Sequence, residues 1–128
     1  MITAAVFIYF VHLLWVVFVT FGALGTRGRP RWSALHFLAS CSAIFTLTNT
    51  YPCPLTLAEN YFTGRAGLPA YEGRFIVHYL NHYISPNLPA ALIVAVGVSL
   101  CCLNLGIYLW RFRNSRLRSR APLVAEDL

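Results

Sequence analysis

Two of the four histidines stand four residues apart: His78 and His82 share one face of any helix that contains them. That spacing is what a metal ion needs from two imidazoles on one helix. Cys53 and Glu59 come from the same stretch of chain and could complete a zinc or copper site. A competing reading makes Glu59 and His78 a hydrogen-bonded structural latch, with Thr56 capping the helix that carries Glu59. A third leaves both histidines on a solvated helix face. A carboxylate beside a histidine also suits acid–base work, but no nucleophile with an oriented base accompanies it.

His12 is the other candidate. It lies near the middle of a long apolar run, where titratable groups are costly and often functional. One reading has it ligate haem, hold a quinone or pass protons. The other makes it a neutral imidazole bonded to a hydroxyl of the next helix, Ser42 or Thr46. His36 falls a turn inside the edge of that helix, too shallow to pair simply with His12.

The elements that position these residues belong to a membrane protein. Residues 2–25 and 86–110 carry no charged side chain, and arginines follow each run directly. A hydrocarbon core of about 30 Å needs roughly 20 helical residues. The sequence therefore predicts an all-α membrane protein with three spans, at about 2–25, 33–50 and 88–110. The middle one is the least apolar, and a re-entrant segment is its alternative. The first lacks a charged leader and is long for a signal peptide, so it reads as a membrane helix. With three crossings, the loop holding Arg27, Arg29 and Arg31 and the tail holding Arg111, Arg113, Arg116, Arg118 and Arg120 fall on one side. The positive-inside rule makes that side cytoplasmic and puts the N-terminus outside.

The outer segment, 51–86, has structure of its own. Pro52 and Pro54 stop a helix. Thr56 followed by Glu59 matches a capping box, which predicts a short helix over 57–63 ending at Gly64. From Arg74, Phe75, Ile76, Tyr79, Leu80, Tyr83 and Ile84 recur at helical spacing, with His78, Asn81 and His82 opposite them. That pattern predicts an amphipathic helix lying in the membrane interface. Residues 114–128 are polar and are expected to be disordered alone.

Composition narrows the function classes. Of 128 residues, 58% are hydrophobic and 11% charged, against roughly a quarter charged in soluble domains. The net charge of +6 sits mainly in the two arginine clusters, which argues for topology and lipid or partner contact. No basic face for nucleic acid and no soluble small-molecule substrate is evident. Cys41, Cys101 and Cys102 fall within spans and only Cys53 faces outward, so no disulfide framework is implied. Gly97, Asn104 and Gly106 suit close helix packing with an interhelical hydrogen bond.

Three stretches carry a resemblance: Cys53-Pro54-Leu55-Thr56, Glu59-Asn60, and the run from Tyr71-Glu72-Gly73-Arg74-Phe75 through His78-Tyr79-Leu80. With His12, Trp32, His36, Asn104 and Tyr108, they resemble a family of small bacterial membrane proteins, domain-of-unknown-function family 2784. The resemblance covers roughly residues 5–113. It implies bacterial origin and a membrane fold of three or four helices, and it brings no activity or catalytic residues. Small size and the lack of a complete catalytic constellation lead to one expectation: a non-catalytic accessory subunit of a larger membrane complex, photosynthetic or respiratory, packed against lipids and other membrane subunits. No cofactor is predicted on that reading. The alternative is a small redox protein binding haem, quinone or a metal at His12 or at the His78/His82 pair.

Overall fold

Long apolar runs in lipid or in a protein interior have one way to pair every backbone amide internally, and that is the helix. The computed structural model describes residues 1–125, with side chains through residue 118. It contains α1 (Ile2–Gly25), α2 (Pro30–Thr48), α3 (Pro54–Arg65), α4 (Phe75–Tyr83) and α5 (Ala90–Ala125). There is no strand among the described residues. α1 and the Ala90–Arg118 part of α5 are long and apolar enough to cross a membrane. α2 has 19 residues and is not among them, because Arg31 and its hydroxyl side chains dilute its apolar face.

α1 is the hub, packing on α2, α3 and α5, while α2 and α4 also pack on α5. Asn104 of α5 reaches Val19 of α1, and Tyr108 reaches Thr26, so α1 and α5 run parallel with α2 antiparallel between them. The α1–α2 turn is tight: Gly28 takes φ +77°, and Pro30 opens α2 with its φ already helical.

The interior mixes a small apolar core, Val19, Ala39 and Cys101, with polar groups, and the largest fully enclosed side chains among the described residues are His36, Thr56 and Ser40. Phe7, Leu14, Leu24, Leu38, Leu103, Leu109 and Trp110 point outward. Hydrocarbon tails accept that surface, and polar groups turned inward hold the helices together.

Three expectations change. First, α3 starts at Pro54, with Cys53 as its N-cap and no side-chain cap bond. Proline at the first helical position starts the helix three residues early, so Thr56 lies inside the first turn and the Thr56–Glu59 capping box does not form. The helix also runs through Gly64 and turns at Ala66–Gly67, where Gly67 takes φ +75°. Second, the apolar face of α4 is divided: Phe75, Ile76 and Leu80 turn onto the bundle, and Tyr83 and Ile84 stay exposed. Phe75 is buried against His12, and Tyr79 turns inward, while His82 is exposed. Third, residues 114–125 are helical, as the end of α5. Extending an existing helix avoids the nucleation cost, and Arg, Leu and Ala favour helix.

Candidate functional site

A carboxylate closed off from solvent must be met by donors, and Glu59 is. α3 carries it inward to face α1 and α4. Its Oε1 accepts a hydrogen bond from the Tyr79 hydroxyl at 2.7 Å, and its Oε2 accepts one from the Tyr71 hydroxyl at 3.1 Å. Nδ1 of His12 stands 3.6 Å from Oε2, close enough for an ion pair when the imidazole is protonated. The Asn60 side chain fixes Tyr71: its amide donates to the Tyr71 carbonyl at 2.7 Å, and its oxygen accepts the Tyr71 N–H at 3.3 Å.

Aromatic rings close the site. Phe75 stacks on His12 with centroids 3.8 Å apart, and Tyr79 lies 4.9 Å from the Tyr9 ring. His78 stacks on the outer face of Tyr71 at 4.2 Å. Arg74, at the entry to α4, donates from Nη2 to the Asn49 carbonyl at 3.2 Å and so ties the outer segment to the end of α2.

Burial, together with the Glu59 charge and the bonds to it, pushes both the Tyr71 and Tyr79 phenols well above their ordinary value of 10.0. Both therefore stay protonated as donors. Burial, and then the neighbouring His82, push His78 below its ordinary 6.5, with Glu59 opposing.

The structure separates the residues of the sequence-derived metal site. Among the described residues, no three His, Cys, Asp or Glu side chains gather where they could hold a metal ion. The rings of His78 and His82 lie parallel with centroids 6.2 Å apart on the outer side, while Glu59 faces inward. The latch forms with different partners: two tyrosines hold Glu59, and His78 only stacks against one of them. His12 faces Glu59 and not α2, and the Thr46 hydroxyl donates back to Ala43 of its own helix.

A second buried polar cluster includes Asn104, which the sequence singled out for an interhelical hydrogen bond, and a His36–Tyr108–Thr26 group that it did not. His36 Nε2 lies 3.1 Å from the Val19 carbonyl, and its Nδ1 lies 2.8 Å from the Tyr108 hydroxyl. A carbonyl only accepts, so Nε2 donates to Val19, and Nδ1 pairs with the Tyr108 hydroxyl. The Thr26 hydroxyl shares a hydrogen bond with the same Tyr108 hydroxyl, 2.8 Å away. Asn104 donates to the carbonyls of Val19, Thr20 and Leu100 at 3.0–3.1 Å. Gly22 makes the room: a Cβ there would fall 2.2 Å from His36 Cδ2. The available signal was a glycine on α1 one α2 loop away from a histidine, and spacing alone does not show that they meet.

Gly97 brings α5 onto α2, where a Cβ would come 3.0 Å from Leu47 Cδ1, while Gly106 faces open space. Arg27, Arg29 and Arg31 are exposed around the α1–α2 turn. Arg111 lies over the Tyr108 ring at 5.9 Å and Arg116 over Phe112 at 4.5 Å, with Arg113 and Arg118 exposed. The Arg120 side chain lies outside the described side chains.

The fold and its interior define a small all-α protein with two membrane-length helices and polar groups directed inward. A family model described as "Protein of Unknown function (DUF2784)" matches residues 2–110, and the chain belongs to that family. No curated protein and no solved structure matches it.

Proposed function

We propose that this chain crosses the bacterial inner membrane three times, with α2 as the middle span, and serves as a non-catalytic accessory subunit of a larger membrane complex. The N-terminus, α3 and α4 then lie outside, and both arginine clusters lie in the cytoplasm. The observation that carries the reading is the far end of α5. Past Trp110 it continues as a helix that exposes Phe112 and Leu117 beside Arg113, Arg116 and Arg118. Apolar and cationic side chains together on an overhanging helix fit an acidic, partly apolar face of a partner better than open water.

The test is extraction in a mild detergent, then native electrophoresis with mass spectrometry and an absorption spectrum of the same band. Co-migration with a larger assembly is expected, and its spectrum reads whether that assembly is photosynthetic or respiratory. A chain that migrates alone overturns the reading. A lone chain with a Soret band, bound quinone or stoichiometric metal moves the assignment to the redox alternative, for which the support is that His12 lines a cavity between the helices.

A further inference from the structure

Inward of α3 and α4 the bundle is hollow. A cavity of about 370 Å³ lies between α1, α2, α4 and α5, within the range of small-molecule sites, roughly 300–1,000 Å³. Its walls are mostly apolar, with Trp15, Val19, Leu47, Leu92, Val96 and Leu100 prominent. Leu92 and Val96 are also half exposed on the outer surface of α5, so the cavity borders the face that lipid would cover.

The polar lining is uneven. Thr20 and Thr46 return their hydroxyls to their own helix backbones and offer nothing to a ligand. Thr56 and Arg74, which line the cavity from the outer segment, differ. Thr56 Oγ1 and Arg74 Nε are enclosed and make no hydrogen bond, and neither does His12 Nδ1 beside them. Thr56 is 98% buried by its 2% exposure; its hydroxyl stands near the Tyr71 phenol without a well-formed hydrogen bond to it, and is costly unless something meets it. Arg74 carries a permanent charge, and no carboxylate lies within 4.0 Å of it among the described residues. Glu59 does not line the cavity, and both its oxygens are already taken by phenols. The chamber therefore offers hydrogen-bond donors and one unpaired positive charge toward its outer end, and hydrocarbon walls elsewhere.

We propose that this cavity binds a single-chain amphiphile with a carboxylate head, a long-chain fatty acid drawn from the membrane. The head takes its hydrogen bonds from Arg74 and Thr56, and the chain runs along Val96 and Leu100 toward Cys101. The charge on Arg74 selects the acid over a neutral alcohol or ester. The cavity's size selects one chain over the two of a phospholipid. The proposal stands apart from the accessory-subunit reading, since either can hold without the other.

The test uses the full chain in nanodiscs of neutral phosphatidylcholine, with a diazirine-bearing palmitate as the probe. Photolabelling is expected on α1 around Trp15–Val19 and on α5 around Leu92–Cys101. Unlabelled palmitate is expected to compete, and hexadecanol is not. Arg74→Gln is expected to weaken binding about tenfold, the worth of one charge-assisted hydrogen bond, with Arg74→Lys recovering part of it. Val96→Trp, which fills the chamber without touching its polar end, is expected to abolish specific labelling, and it decides the matter if the Arg74 variant proves unstable. Equal competition by hexadecanol overturns the carboxylate head. Labelling spread evenly over Phe7, Leu14 and Leu109, and unchanged in Val96→Trp, overturns the site.

Discussion

Glu59 concentrates the chemistry of the outer half in one side chain. Two phenols donate to it, and both lose their acceptor if it goes. Tyr79→Phe removes the shorter of the two bonds and is expected to cost about 1.5–3 kcal/mol, the range for a hydrogen bond to a charged group. Unfolding of the two proteins in the same detergent measures the difference, and a change near zero would mean that water or a ligand replaces the phenol. His78 gives a pH signature. Folding lowers its affinity for a proton below the ordinary 6.5, so between the two values the unfolded chain holds more protons. Its contribution is complete above about 6.5 and declines as the pH falls through that window. Melting curves at pH 5 and 7.5 are expected to show a loss on acidification that His78→Gln reduces; an identical loss in the variant would assign it to another group. The sequence pointed to Glu59, His12 and His78, but not to how they pair. Tyr79 read as an apolar position of a helix and Tyr71 carried no role beyond the resemblance, and only the fold turns their hydroxyls onto one carboxylate.

At the scale of the helices, the strongest constraint is the crossing of α1 and α2 at Gly22. Any β-carbon there meets the His36 ring, which is held on both nitrogens and has no free direction to move. Gly22→Ala is expected to destabilise by about 1–3 kcal/mol, as overpacking of a tight interior does. Gly106→Ala, which enters open space within a helix, is the matched control and is expected to stabilise by about 0.5–1 kcal/mol, since alanine is the better helix former. If both behave alike in thermal unfolding, the packing at Gly22 is looser than described. Helix existence was legible throughout, because long apolar runs admit little else. Helix ends were less so. Pro54 started α3 ahead of the capping box that Thr56 and Glu59 spell out, and α5 absorbed a polar stretch that would not be helical alone.

For the whole molecule, orientation is the property most open to test. Single cysteines placed at Glu72 and at Arg118 in a chain lacking its own cysteines report the two ends of the bundle. Three crossings predict that an impermeant maleimide reaches the first from outside intact cells and the second only after lysis. Labelling of both from the same side would mean that α5 does not cross, and a third cysteine at Arg29, which shares a side with Glu72 only if α2 fails to cross, tests the middle span. The sequence did not settle α2, because its polar residues read alike and only the fold tells them apart: Thr46 and Thr48 return their hydroxyls to their own backbone, while His36 is met by two other helices. Those partners come from far apart in the chain: Val19 precedes α2, and Tyr108 comes from 72 residues after His36. While the chain is being made, α2 therefore emerges long before Tyr108 exists to meet its histidine. A product cut short ahead of Tyr108 carries a bare imidazole nitrogen into the bilayer, the kind of lesion by which a membrane's proteases tell an unfinished chain from a finished one.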